Sequence, residues 1–275
     1  MHLFCFGLGY SAQALARRLR SKGWTVSGTR RHGGDGTTAF DGSAPLPIKT
    51  FEGVTHLLSS VPPGEAGDPV LNRHGDDLKK LAPQLRWVGY LSTTGVYGDR
   101  QGDWVNETSP LAPSTRRGER RLAAETAWAS LGLPLHIFRL AGIYGPGRNQ
   151  LVSILDGTAK RIVKAGQIFS RIHVDDIAGV LEASIAKPSP PRAYNVCDDE
   201  PCPPQDVVAF AAELLKRPPP PEIAFDDAEL SPMGRSFYAE SKRVANTRIK
   251  EELGYQLIYP SYREGLTALL ATLPA

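Results

Sequence analysis

The stretch FCFGLGYSAQALARRL sets Gly7, Gly9 and Ala12 in a G-x-G-x-x-A spacing between an apolar run and a helical pattern. Each small residue has a task in such a loop. The first permits a tight turn, the second lets a pyrophosphate approach the backbone, and the third lets helix and strand pack closely. Phosphate oxygens then rest on the amides that open the helix, where the helix dipole favours an anion. The spacing therefore points to a dinucleotide-binding loop made of Gly7, Leu8, Gly9, Tyr10, Ser11 and Ala12. About twenty residues on, an NAD site carries an acid for the ribose 2′-hydroxyl. Here WTVSGT is followed instead by Arg30 and Arg31. No carboxylate stands there to repel a 2′-phosphate, and two guanidinium groups can bind one. NADP is the expected cofactor and NAD the less favoured one.

A second stretch with chemical potential is PSTRRGERRLAAE, which crowds Arg116, Arg117, Arg120 and Arg121 onto the first turns of an amphipathic helix. Cations there oppose the positive pole of the helix, at a few tenths of a kcal/mol each when exposed. Their reason has to lie outside the helix itself.

The elements that must position these residues follow from the hydrophobic pattern. Apolar runs at 3–6 (LFCF), 54–61 (VTHLLSSV), 87–92 (WVGYLS) and 135–140 (LHIFRL) read as strands buried on both faces. Between them Ala12, Leu15, Ala16 and Leu19 share one helical face, as do Leu122, Ala123, Ala127 and Trp128, and later Ile177, Val180, Leu181 and Ile185. Strand and helix alternate, which predicts an α/β, doubly wound parallel sheet. The pattern changes after about residue 200, with a helix PQDVVAFAAELLK, a short strand EIAF and a mixed segment from Ser231. We therefore expect a Rossmann core over 1–200, with 145–170 partly contributing to the substrate cleft, and a small C-terminal substrate subdomain over 201–275. Proline clusters at 188–191, 201–204 and 218–221 read as loops between elements.

Composition bounds the function classes. The 275 residues are 41% hydrophobic and 22% charged with a formal net charge of +3, an ordinary globular balance. Scattered cations give no support to a nucleic-acid partner. Cys5, Cys197 and Cys202 form neither a disulfide framework nor a metal-ligand motif, so no metal is expected and a reducing compartment fits. His2 to Leu8 lacks the basic start and cleavage site of a signal peptide, and no run approaches the roughly 18 apolar residues of a membrane span. The expectation is a cytoplasmic protein without a membrane partner.

Four further motifs occur in order: LSTTGVYG (91–98), RLAGIYGPGR (139–148), RIHVDDIAGVL (171–181) and AYNVCDDEP (193–201). With these the chain resembles the extended short-chain dehydrogenase/reductase superfamily, in its NAD-dependent epimerase/dehydratase group. The resemblance covers most of the chain. It implies a doubly wound Rossmann fold of about seven strands, with a small C-terminal substrate domain closing over the nicotinamide. It also implies a Tyr-x-x-x-Lys pair on the helix after the V-Y-G motif, with a glutamate four residues beyond the lysine. Glu125 matches that glutamate, which puts Arg117 at the tyrosine position and Arg121 at the lysine position. Gly98 to Ile143 contains no tyrosine, so the chain is similar to an atypical bacterial subgroup without the catalytic pair, sharing a G-x-G-Y start and an S-x-P-P loop.

The resemblance assigns the family's substrate-orienting hydroxyl to Thr93. An arginine cannot take over proton transfer from a tyrosine, because its pKa exceeds 12. Arg121 can still hydrogen-bond a ribose or phosphate, and Arg117 can stabilise a developing oxyanion. Equally open is that both face solvent or pair with Glu119 and Glu125. Ser60, Val61 and Pro62 lie either against the cofactor's pyrophosphate or adenosine or in a plain tight turn. Asp41 either meets adenine or forms a turn. Tyr97 reads as a substrate contact or substitute proton donor, or as a packed motif tyrosine; Tyr144 lies near the cleft. Arg148 and Arg171 fit an anionic substrate such as a nucleotide diphosphate, or are surface charge. His173, Asp175 and Asp176 read as a helix cap and anchor, with an acid–base cluster as the alternative. Two functions stay in play. One is an NADP-dependent oxidoreductase or epimerase acting on a sugar-like or small polar carbonyl substrate; the other is an inactive NADP(H)-sensing protein. Family members often dimerise through the helix that carries Arg121, so a homodimer is a further expectation.

Overall fold

A computed structural model describes residues 1–188 and 191–273. Pro190, within the 188–191 proline cluster, therefore lies outside the described residues. The chain runs β1 (His2–Phe6), α1 (Tyr10–Arg20), β2 (Thr25–Arg30), β3 (Thr38–Ala39), β4 (His56–Ser59), α2 (Pro69–Leu81), β5 (Trp87–Thr93), β6 (Trp104–Val105) and α3 (Arg116–Ala129). It continues through β7 (Leu135–Leu140), β8 (Gly142–Tyr144), α4 (Gln150–Leu155), β9 (Arg161–Val163), β10 (Arg171–His173), α5 (Val174–Ala186) and β11 (Arg192–Val196). Last come α6 (Pro204–Leu214), β12 (Glu222–Ala224), α7 (Pro232–Phe237), β13 (Arg243–Val244), α8 (Thr247–Glu251) and α9 (Tyr262–Leu270).

Seven strands form one parallel sheet in the order β11-β7-β5-β4-β1-β2-β3, so the fold is the expected doubly wound Rossmann type. Its two faces can be read residue by residue from the two-residue strand period. Leu3 and Cys5 of β1, Leu58 of β4 and Trp87 and Leu91 of β5 pack with α1 and α5 through Leu15, Leu19, Ile177 and Leu181. Phe4 and Phe6, Leu57, and Val88 and Tyr90 point the other way, onto α2 and α3 through Val70, Leu78, Ala124 and Trp128. Burial on both faces is why these runs are apolar without alternation.

Outside this sheet, three short parallel pairs join distant parts of the chain: β8 with β10, β9 with β12, and β6 with β13. Tyr144, Leu151, Cys202, Val207, Ala211, Tyr262 and Leu266 form a separate apolar cluster between α4, α6 and α9. Ile249 of α8 and the following Leu253 return to the main core on the α1/α5 face. Among the described residues no helix is long and apolar enough to cross a membrane.

Candidate functional site

The carboxyl ends of β1, β4, β5 and β7 all open on one edge of the sheet, where a doubly wound fold places its ligands. Gly7 follows β1 with φ +80°, a left-handed conformation that favours glycine. A Cβ there would stand 2.7 Å from Ser60 Oγ and 3.2 Å from Val61 Cγ2. Ser60 and Val61 thus close directly over the loop, and the Ser60 hydroxyl donates to the Gly7 carbonyl. Thr29 secures the other side, accepting from Gly7 N through Oγ1 at 3.0 Å and from Leu8 N through its carbonyl at 2.7 Å. Gly9 is the N-cap of α1, and nothing lies within 4 Å of the Cβ it lacks. No side chain caps this helix and no acid lies in its first turn. Its leading amides therefore have no side-chain acceptor, the arrangement that suits an anion. Leu8 and Ala12 are buried beneath, in the core that α1 shares with the sheet.

At the end of β2, Arg30 folds back over the loop, with Nε 3.5 Å from the Leu8 carbonyl and Nη1 2.5 Å from the exposed Asp35 carboxylate. Arg31 and Pro62 are exposed. Asp41 takes the turn alternative, accepting from Ser43 N at 2.8 Å and Ser43 Oγ at 2.6 Å. Those bonds hold its carboxyl below the usual carboxylate range.

The loop continues into a cavity of about 530 Å³ whose wall includes Gly9, Tyr10, Ser11 and Ser60 on one side and Thr93, Thr94 and Gly95 at the end of β5. Thr93 Oγ1 accepts from Gly95 N at 3.2 Å, which leaves its hydroxyl proton free for another acceptor. The first turn of α3 packs on this corner. A Cβ at Gly118 would come within 2.8 Å of the Gly95 carbonyl, so only the smallest side chain lets the helix sit this close. Arg117 and Arg121 are consequently part of the cavity wall. Arg121 is buried, donates through Nη1 to Tyr90 Oη at 3.1 Å and to the Leu91 carbonyl at 2.8 Å, and stacks on the Tyr90 ring. The Arg117 guanidinium lies 5.6 Å over the Phe237 ring. Burial and the neighbouring guanidiniums of Arg121 and Arg148 push it below its ordinary pKa. Arg120 instead reaches Glu65 at 2.7 Å, and Arg116 is exposed.

Two expectations are corrected here. Glu125 is no partner for Arg117 or Arg121: its carboxylate accepts from Arg139 Nη2 at 2.8 Å and from Ser92 Oγ at 2.5 Å, fully inside the protein. Tyr97 is not on the cavity wall either. It is wholly buried, donates to Asn195 Oδ1 at 2.7 Å and accepts from Arg139 Nη1 at 2.9 Å. Burial also pushes its phenol up.

The opposite wall comes from later segments. Tyr10 spans the opening, donating to the Pro146 carbonyl at 3.0 Å and so tying the glycine loop to the Y-G-P-G turn. Tyr144, Arg148 and Arg171 line the cavity. Tyr144 donates to the Ser261 carbonyl at 3.3 Å, and Arg171 Nη1 to the Phe169 carbonyl and Cys202 Sγ, each at 3.1 Å. His173 is the N-cap of α5, its Nδ1 accepting from Asp175 N at 3.2 Å. Asp176 accepts from Tyr255 Oη, Ile258 N and Tyr259 N, so this segment is an anchor and not an acid–base cluster.

Lys242 and Glu240 belong to the wall and were missed from sequence. Lys242 is buried, with Nζ 2.6 Å from Glu240 Oε2 and 2.7 Å from the Gly98 carbonyl. The β6–β13 pairing brings this segment to the site. In the sequence the pair looks like any surface S-K-R stretch, and no spacing links it to Thr93.

No family model matches the chain. A functionally unknown conserved protein from Silicibacter pomeroyi DSS is 54% identical, with a TM-score of 0.91 over 98% of both chains. The two proteins belong to one family. Protein YeeZ of Escherichia coli K12 is 28% identical across 92% of this chain and 94% of its own length. Among more distant folds, a human epimerase family protein solved with NADPH is 18% identical, with a TM-score of 0.78 over 99% of this chain and 100% of its own. Several structural neighbours are described as epimerase or epimerase/dehydratase proteins, as the four motifs lead one to expect.

Proposed function

We propose that the chain binds NADP(H) along the glycine loop and acts as an NADP-dependent oxidoreductase or epimerase on a sugar-like or small polar carbonyl substrate. The observation that carries this is the uncapped start of α1, open above Gly9 and continuous with the cavity at Thr93. Gly7, Gly9 and the amides of Tyr10, Ser11 and Ala12 would hold the pyrophosphate, with Ser60 and Val61 packed on the loop. Arg30 and Arg31 would take the 2′-phosphate. Arg121, its orientation fixed by Tyr90 and Leu91, would hold the ribose. Bound NADP(H) supplies hydride chemistry at its nicotinamide. Thr93 then orients a carbonyl or hydroxyl through its free proton, and Arg117 stabilises negative charge on that oxygen as a fixed cation.

The second reading is a protein that senses NADP(H) without turnover. It draws support from α3, which presents arginines and neither tyrosine nor lysine, and from the burial of Tyr97. NADPH oxidation measured against a panel of nucleotide sugars, aldehydes and keto acids separates the two. Turnover that is lost in Thr93→Val supports the enzyme. Saturable NADPH binding with no turnover across the panel supports the sensor.

A further inference from the structure

The proposed reduction needs a proton for the oxygen whose carbon takes up hydride, and the positions expected to supply it are closed. Arg117 holds the tyrosine position of α3, and a guanidinium keeps its protons near neutral pH. Tyr97 is buried off the cavity, with its hydroxyl given to Asn195. Among the described residues of the cavity wall, the side chains other than arginine with an ionisable proton are those of Tyr10, Tyr144, Glu240 and Lys242. Tyr10 donates to the Pro146 carbonyl and Tyr144 to the Ser261 carbonyl, and burial raises both phenols above their ordinary range. Glu240 accepts through both oxygens, from the Ser114 hydroxyl at 2.8 Å and from Lys242 Nζ at 2.6 Å, and is thus arranged as an acceptor. Lys242 remains. Its ammonium has three protons. One goes to Glu240 Oε2 and one, at 2.7 Å, to the Gly98 carbonyl, so among the described residues the third has no acceptor.

This pair sits at the corner where Thr93 ends β5. Thr93 Oγ1 and Glu240 Oε2 approach the place of the Cβ that Gly95 lacks to 3.6 and 3.9 Å. The backbone on either side of Lys242 is already fixed. Gln167 Nε2 donates to the Glu240 carbonyl at 2.7 Å, Ser241 N to Asp99 Oδ1 at 2.8 Å, and the Ser241 carbonyl accepts from Arg100 N and Gly102 N, each at 3.0 Å. Such a frame holds the segment without the ammonium, and a buried ion pair often stabilises a fold no better than apolar side chains of the same volume. Both facts point to a use for Lys242 beyond packing.

We infer that Lys242, held by Glu240 and the Gly98 carbonyl, is a catalytic residue that donates the proton to a carbonyl oxygen oriented by Thr93. The inference rests on the proposed function and adds the acid that the arginines of α3 do not provide. A lysine ammonium ordinarily titrates at about 10.4 and a tyrosine phenol at about 10, so the two are comparable donors to a developing alkoxide. In the step, hydride from NADPH adds to the carbonyl carbon, the π pair of the C=O bond moves to oxygen, and an N–H bond of Lys242 breaks as the O–H bond forms. The products are an alcohol, NADP+ and a neutral amine, which regains its proton from water.

Two measurements on the full chain test this. The first uses neither cofactor nor variant: propionaldehyde with cyanoborohydride alkylates amines that meet a carbonyl, and peptide mass mapping locates them. Lys242 is expected among the modified residues despite its burial. A Lys242 still untouched when the exposed Lys216 is fully modified would overturn the inference. The second is NADPH oxidation with nucleotide sugars, aldehydes and keto acids, alongside NADPH binding by fluorescence. Lys242→Arg keeps a cation facing Glu240 and Gly98 but does not release a proton, so it should bind NADPH as the wild type does and lose about a hundredfold in kcat with little change in KM. Lys242→Met should lose as much, and if it does not fold, Lys242→Arg and the aldehyde modification decide. Wild-type kcat in Lys242→Arg would show that the side chain only holds its segment in place, overturning the inference and leaving the enzyme reading intact. NADPH binding without turnover by the wild type across the panel would remove the enzyme reading and the inference with it.

Discussion

At the residue scale, the tightest polar assembly lies behind the cavity and not in it. Glu125, Arg139, Ser92, Tyr97 and Asn195 form one buried chain of hydrogen bonds joining α3, β5, β7 and β11. Removing one partner of a buried ion pair strands the other charge, at about 3–5 kcal/mol. Glu125→Ala is therefore expected to lower the unfolding free energy by that order, read as a shifted denaturant midpoint; a loss below about 1 kcal/mol would show that the pair does not hold α3 to the sheet. Asp198 gives a prediction of opposite sign. Its carboxyl is buried, and burial raises its pKa from 3.8 to about 8. Between those values the folded state holds a proton that the unfolded chain has released, so this group lowers stability as pH rises through the window. Asp198→Asn is expected to raise Tm, with a larger gain at pH 8 than at pH 5. A gain independent of pH would refute the assignment. Gly95→Ala is a steric probe: the added Cβ would sit 3.6 Å from Thr93 Oγ1 and 3.9 Å from Glu240 Oε2, two residues of the cavity wall. It should leave Tm and NADPH binding near wild type while lowering turnover, as calorimetry and NADPH oxidation measured on the variant would show.

At the element scale, the site depends on how closely α3 approaches the corner after β5. Gly118 against the Gly95 carbonyl sets that approach, and a methyl group there must push the helix outward. Gly118→Ala should lower Tm and weaken NADPH binding together, because Arg121 and Thr93 move apart. A variant that keeps both unchanged would mean that the helix adjusts without disturbing the wall. The helix also shows what local sequence does and does not reveal. Arg117 and Arg121 were legible as site residues because a glutamate at fixed spacing aligned the helix with a familiar motif. The partner of that glutamate was not legible, since Arg139 comes from β7 and only the parallel β5–β7 register brings it alongside Ser92. Tyr97 takes its packed alternative, and not the proton-donor one, for a related reason. Motif position placed it near the cleft, but the turn after β5 aims its ring inward, toward Asn195 of β11.

At the scale of the whole molecule, the sheet and its order were readable because both faces of each strand are covered, which leaves continuous apolar runs, and because helices alternate with them. The glycine loop was readable because all its residues are contiguous. The opposite wall of the cavity was only partly so. Arg148 and Arg171 belong to motifs, whereas Lys242 and Glu240 arrive through a two-residue pairing of β13 with β6 that periodicity does not announce. The central claim is that the start of α1 and the end of β2 together capture a phosphorylated dinucleotide. Its most direct measurement is a fluorescence titration of the full chain with NADPH and with NADH, repeated on a variant with Arg30→Ala and Arg31→Ala. The account predicts saturable binding with NADPH tighter than NADH, and in the variant a loss of about tenfold or more for NADPH with little change for NADH. No saturable change with either coenzyme, or equal losses for both in the variant, would contradict it.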